Sequence, residues 1–258
     1  MLPDLLRLAT MARVYDLSQP YFTGMPHHPS HPPYMYSLTK KHGDFAAPGG
    51  VSSAAESIAL GGHVGTHIDA LCHFSCGGKL HDGSVAADVQ SYAGGIERLS
   101  VDMIAPIIRR GVLIDLAEDG PLAEDFTITP ELLAAKARVE IGAGDVVLLR
   151  TGWAQYWSDP VKYIREVHGP GPELAGAEWL SARGIFAAGS DTIAFEKVPA
   201  RNMPVHVHLL VEKGIHIIEA LDLEQLARDG VAEFLFIAAP LKIRGGTGSP
   251  VRALALVA

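Results

Sequence analysis

Two cysteines in 258 residues, Cys72 and Cys76, are too few for a disulfide framework or a thiolate zinc site. No cluster of lysine and arginine stands out, and the formal net charge is -8, so a nucleic-acid groove is not expected. The same balance gives no attraction for anionic lipid. No apolar run reaches the ~20 residues of a spanning helix. The opening, MLPDLLRLATMARVYD, has a short apolar helical pattern but no charged n-region and no adequate h-region. A soluble, cytoplasmic protein with no membrane or nucleic-acid partner is expected. No GxGxxG or GxxxxGK[ST] opens a helix after a strand, which disfavours nucleotide cofactors. No GxSxG elbow is present, and no Ser/His/Asp triad or activated cysteine is needed.

The composition is otherwise ordinary, with 48% hydrophobic and 19% charged residues. No linker or repeat divides the chain, so residues 1–258 are expected to form one domain. Short apolar runs read as buried strands: VYDL (14–17), SIALGGHVG (57–65), GVLIDL (111–116), DVVLLRT (145–151), GIFAA (184–188), IHIIEAL (215–221) and EFLFIAA (233–239). Helices are expected from Pro130, capped by Thr129, and over 172–183, ended by Gly184. Another is expected over 222–229, with Asp222 as N-cap and Gly230 as the stop. The mixture predicts an α/β domain with a mixed sheet. A Pro- and His-rich loop, PYFTGMPHHPSHPP (20–33), excludes regular structure and is long enough to be functional.

What the chain has in unusual measure is clustered histidine. Of twelve, ten fall in three groups, at His27/His28/His31, at His63/His67/His73/His81 and at His206/His208/His216. Histidine is the commonest metal ligand. In HVGTHIDALCH (63–73), glycines and Thr66 disfavour a helix, and in an extended chain His63, Gly65, His67 and Asp69 share a face. Gly65 would leave room for an ion between them. Two imidazoles and a carboxylate suit Zn²⁺ or Mn²⁺. His73 has the same parity and could serve as acid/base. Cys72 has the opposite parity and is rejected as a nucleophile. Glu219 is a carboxylate on the apolar face of IHIIEAL, near that strand's carboxyl end, so it must pair, neutralise or bind a metal. His206 and His208 lie on VHVHLLVEKG, expected to be a helix closed by Gly214, and only one is expected to face the site. His216 points away from Glu219. Asp191 is a candidate for orienting a ligand histidine. Arg150 and Trp153, near a strand end, are candidate substrate contacts but read first as structural.

HVGTHIDALCH resembles the HxGTHxDxPxH signature of the cyclase-like metal hydrolases, which include bacterial kynurenine formamidase and isatin hydrolase. YDLSQPYFTGMPHHP, VLLRTGW (147–153), GSDT (189–192), HVHLLVEKGIHIIEALDLEQLA and GSP (248–250) look alike too. Leu71 stands where the family usually has proline. The resemblance implies a compact swivelling β/β/α domain with a small β-barrel-like core, assembled as a dimer or tetramer. It implies His63, His67 and Asp69 as metal ligands and His73 as catalytic acid/base. His206 and Glu219 would complete the site, either as ligands to one or two ions or as acid/base partners, with His206 the further catalytic candidate and Glu219 the further metal candidate. Phe22 and Met25 of the loop are candidate contacts for a flat, partly apolar small molecule. The expected reaction is hydrolysis of an amide or lactone by metal-activated water. Two alternatives stand beside it: an iron oxygenase using His67, Asp69 and His206 as a facial triad, and a metal- or ligand-binding protein without catalysis.

Overall fold

The run DVVLLRT forms the strand Val146–Arg150, and Val146, Val147, Leu148 and Leu149 are all fully buried. A strand covered on both faces needs such an unbroken apolar run. The structure, a computed structural model, describes residues 6–7, 10–164 and 166–257. The helical pattern foreseen at the amino terminus lies partly outside these residues.

Among the described residues, nine strands make one sheet: β1 (Arg13–Asp16), β2 (His67–Asp69), β3 (Ile107–Asp115), β4 (Val146–Arg150), β5 (Ala187–Ser190), β6 (His216–Glu219), β7 (Glu233–Ala238), β8 (Gly248–Pro250) and β9 (Leu254–Val257). Their order is β1-β9-β7-β3-β4-β5-β6-β2-β8. Strands β3 to β6 run parallel to their neighbours within that group. All other pairings are antiparallel. The sheet is therefore mixed, as the alternation of elements implied.

The two-residue period sorts side chains between two cores. Tyr15, Ile68, Leu113, Leu148, Ala187, Ile218, Phe234 and Ala255 meet in one cluster. These residues come from eight of the nine strands, so the sheet curls around them into a half-barrel. Val112, Ile114, Val147, Leu149, Ala188 and Ile217 face the other way. There they pack on Leu133 of helix α1 (Pro130–Lys136), on Ala177 and Leu180 of α2 (Leu174–Ser181), and on Leu209 and Leu210. Thr129 caps α1 as expected, accepting from the Leu132 N–H at 3.3 Å. The last helix, α3, spans Glu224–Arg228, and its N-cap is Leu223 rather than Asp222. Asp222 instead accepts the Glu224 N–H from one residue earlier.

The run SIALGGHVG departs from expectation. Only Ala55–Ala59 is extended, in a hairpin with Met35–Lys40, and residues 61–66 turn. Gly65 takes φ +65°, which breaks the strand before His67. The segment after Met203 begins as one α-turn, Pro204–His206, and continues as a π-helix, Val207–Lys213. π-turns of this kind recur at functional sites. Among the described residues, no helix is long and apolar enough to cross a membrane.

Candidate metal centre

The centre sits where β6 and β2 run side by side. Register pairs Glu219 with His67 and Ile217 with Asp69. Alternation then points His67, Asp69 and Glu219 to one face, while Ile68 and Ile218 enter the half-barrel core. His63 arrives by the turn at Gly65 and not by strand parity. The Gly65 turn also has another occupant than the one foreseen: a Cβ there would come within 2.4 Å of the Tyr21 ring. Tyr21 is held by its hydroxyl near the carbonyl oxygens of Val64 and Thr66, at 2.9 Å each. His73 likewise returns by a turn, its N–H donating to the Ala70 carbonyl at 2.9 Å. That turn stacks its ring on His63, with centroids 3.8 Å apart. Cys72 goes into the core, where burial pushes its thiol up to about 12.

Two groups of buried donors share Asp69: His63, His67 and Asp69 form one, and Asp69, His206 and Glu219 the other. His67 donates from Nδ1 to the Gly65 carbonyl at 2.8 Å, so its Nε2 lone pair faces inward. His206 is tied in the same way by Nδ1 to Glu196, at 2.6 Å. The inward atoms stand at wider spacings. His67 Nε2 is 3.5 Å from Asp69 Oδ1 and 3.4 Å from Glu219 Oε2. His206 Nε2 is 3.2 Å from Glu219 Oε1 and 3.8 Å from Asp69 Oδ2. Ligands about 2.0–2.2 Å from a common ion stand roughly 3–3.6 Å apart. Among the described residues, Asp69 Oδ2 is the one buried side-chain oxygen or nitrogen lacking a hydrogen-bond partner. An orphaned carboxylate oxygen at 1% residue exposure is costly unless a cation takes it. The donor set therefore fits a divalent ion. His63 differs, because both its nitrogens are engaged: Nδ1 with Asp69 Oδ1 at 2.7 Å and Nε2 with Thr247 Oγ1 at 2.9 Å.

The electrostatics of the protein groups alone point the same way. Burial would raise the Asp69 carboxyl, but the His73, His63 and His67 imidazoles hold it well below the usual range. Burial is likewise outweighed at Glu219, where His206 and His67 bring it to about 2. His206 rises against burial to about 10, through Glu196 and Glu219. His73 falls to about 3 because it is desolvated. Among the described residues, no hydrogen bond engages either ring nitrogen of His73.

Of the remaining candidates, His208 is turned away, bonded to Ser181 Oγ and Glu212 at 2.8 Å each. His216 donates to the Asp69 carbonyl at 2.9 Å and so braces that residue from behind. Asp191 does not orient a ligand histidine. Its carboxylate accepts the N–H groups of Thr151 and Gly152 and the Thr151 hydroxyl. Glu196 takes the orienting position instead. Sequence reading missed it because FEKVP carries no motif around the glutamate. Arg150 pairs with Asp115 and Glu224, and Trp153 donates to the Tyr163 carbonyl. From the loop 20–33, His31 reaches the cluster, stacking on His63 at 5.1 Å. Phe22 lies on the surface, 37% exposed. Met25, on the same loop, is buried and lines, with Tyr34 and His27, a groove of 710 Å³ that includes none of the donor residues.

The Cyclase family model, described as "Putative cyclase", matches residues 15–197. The chain belongs to this family. Its match ends before His206 and Glu219, but the structural likeness runs further. The crystal structure of a novel cyclase superposes with a TM-score of 0.87 at 29% identity, covering 98% of this chain and 89% of that one. An isatin hydrolase of Roseibium aggregatum is 34% identical over 211 residues, 78% of this chain and 73% of its own. A kynurenine formamidase of Bacillus cereus is 27% identical over 242 residues, 93% and 95% of the two chains. The fold is that of a cyclase-family protein.

Proposed function

We propose that this chain is a metal-dependent hydrolase that cleaves the C(=O)–N bond of a small amide, of the aryl formamide or cyclic amide type. One observation carries the reading. Two imidazoles, His67 and His206, are each pinned through Nδ1 and turn Nε2 toward two carboxylates, one of which has an unpartnered oxygen. Imidazole ligands are oriented in this way by acceptors on their other nitrogen. His67, Asp69, His206 and Glu219 would hold Zn²⁺ or Mn²⁺, with His63 on the same edge. Asp69 offers one oxygen to each group, so a second ion is compatible with the arrangement. The bound ion supplies an acidified water and a Lewis acid for the carbonyl.

The chain's own residues do the rest. Desolvation keeps His73 neutral, and among the described residues no hydrogen bond takes either ring nitrogen. From there it can take the proton of the attacking water and pass it to the leaving nitrogen. The stack on His63 fixes the plane of its ring. The loop 20–33 covers the substrate on this reading, with Phe22 and Met25 as apolar contacts. The names of the relatives, hydrolase and formamidase, do not favour the oxygenase or the non-catalytic alternative.

Homo-oligomeric assembly belongs to the same proposal. The hairpin Met35–Lys40/Ala55–Ala59 bears Tyr36, Leu38 and Ile58 on one face, all about half exposed. An isolated two-stranded hairpin is marginal in water, so an exposed apolar one supports cover by a second copy. The deciving assay for function is turnover of aryl formamides, isatins and lactones by metal-analysed protein. Metal-dependent hydrolysis of one amide class is expected. Indifference of every substrate to metal removal would sink the reading.

A further inference from the structure

Two adjacent residues after β5 each hold a different member of the donor cluster. The Phe195 N–H donates to Glu219 Oε1 at 2.7 Å. Glu196 Oε1 accepts twice from His206, from Nδ1 at 2.6 Å and from the backbone N–H at 3.0 Å. Glu196 is 1% exposed, and among the described residues its ion-pair partner is His206, with no lysine or arginine. This dipeptide is itself wedged. A Cβ on Gly171 would stand 2.4 Å from Lys197 N, 2.5 Å from Glu196 C and 2.6 Å from Phe195 O. The Lys197 N–H also donates to the Pro172 carbonyl at 3.1 Å. Backbone atoms cannot rotate aside as a side chain can, so the close approach at Gly171 sets where Phe195 and Glu196 lie.

We propose that Glu196, seated by backbone contact with Gly171, is a positioning residue that fixes the tautomer and aim of His206 for the cation. The inference rests on the metal reading given above. With the proton held on Nδ1, the Nε2 lone pair faces Glu219 and Asp69, and the carboxylate raises the imidazole's basicity as a ligand. The rival account is a cap. Glu196 accepts the His206 N–H in the first turn of Pro204–His206, where an anion is stabilising whatever lies beyond. A cap would act on stability alone.

The test uses the full chain, zinc alone as the probe, and the variants Glu196→Leu, Glu196→Gln and Gly171→Ala. Zinc affinity is read by competition with a chelator. The His206 tautomer is read by long-range ¹H–¹⁵N spectra of the zinc-loaded protein. Wild type should show the Nδ1–H form. Glu196→Leu should weaken zinc about 10- to 100-fold and release the tautomer. Glu196→Gln keeps an accepting oxygen, so it should hold the tautomer and lose less affinity. Gly171→Ala should weaken zinc although it carries no donor. A folded Glu196→Leu protein with lowered melting temperature but wild-type zinc affinity and tautomer would overturn the proposal in favour of the cap. Should that variant not fold, unchanged affinity and spectra in Gly171→Ala overturn it equally. None of these readouts uses turnover. Zinc loss in Glu196→Leu from a chain that hydrolyses nothing would refute the hydrolase and leave this role standing. A wild type that binds no zinc refutes both.

Discussion

His67 and Glu219 face each other directly across the antiparallel pair β2/β6, with Nε2 and Oε2 3.4 Å apart. That is a looser ion pair than a short hydrogen bond, and Asp69 Oδ2 beside them lacks a hydrogen-bond partner among the described residues. A cation that binds only the folded state stabilises it by mass action, by about 2.7 kcal/mol at a hundredfold excess over Kd. Zinc or manganese should therefore raise the melting temperature, and a chelator should reverse the rise. Asp69→Asn and Glu219→Gln should lose most of that increment. Calorimetric scans with and without metal check this, and an undiminished increment in Asp69→Asn would contradict the assignment.

The His73 ring stacks on His63, and among the described residues neither of its ring nitrogens is hydrogen-bonded. Substituting it should separate chemistry from metal binding. His73→Ala is expected to lower kcat about 10²- to 10⁴-fold, the usual worth of a placed acid/base, with metal content unchanged. Metal analysis and steady-state kinetics on the same preparation decide it. Loss of metal in step with activity would make His73 a ligand instead.

Much of this was legible in the chain because it depends on short periods. Most of the apolar runs, SIALGGHVG excepted, gave strands of the sheet, and Thr129-Pro130 gave a helix start, since both are local effects of burial and capping. The residue types in HVGTHIDALCH were legible for the same reason. Their geometry was not. A strand through 63–69 would put His63, His67 and Asp69 on one face, but Gly65 at φ +65° makes a turn, so His63 meets Asp69 by folding back. Glu219 showed itself as a lone carboxylate on an apolar face. Glu196 and Gly171 did not, because their roles exist only through contacts made at long range. Asp191 looked suited to orient a histidine, yet it closes the turn at Thr151 and Gly152 instead.

His206 makes the metal-free protein sensitive to alkali. Its folded pKa is raised to about 10 by Glu196 and Glu219, above the usual histidine value of ~6.5. In that window the folded state binds more protons than the unfolded one, so stability falls as pH rises from ~6.5 towards 10. The contribution is full below ~6.5. His206→Gln should abolish this limb, which is read as the difference between the two metal-free proteins in denaturant titrations from pH 6 to 10. A bound cation takes the place of the proton, so metal-loaded wild type should lose the limb as well. Parallel pH profiles for metal-free wild type and variant would count against the Glu196–His206–Glu219 arrangement.

Gly65 is constrained twice over, and the two constraints can be measured apart. Its φ of +65° costs an L-residue about 1–2 kcal/mol. A methyl group there would also overlap the Tyr21 ring, at 2.4 Å, and overpacking costs about 1–3 kcal/mol. Gly65→Ala should therefore destabilise by at least about 2 kcal/mol and weaken metal binding, because the turn carries His63. Tyr21→Ala removes the ring and its hydroxyl bonds to Val64 and Thr66. In the double variant the overlap is gone and only the backbone term remains, so the combined cost should fall short of the sum of the singles. Groups in contact show coupling of this size, whereas distant sites add. Simple additivity in a denaturant cycle would mean that Tyr21 does not fill the space beside Gly65, and that another neighbour sets the turn.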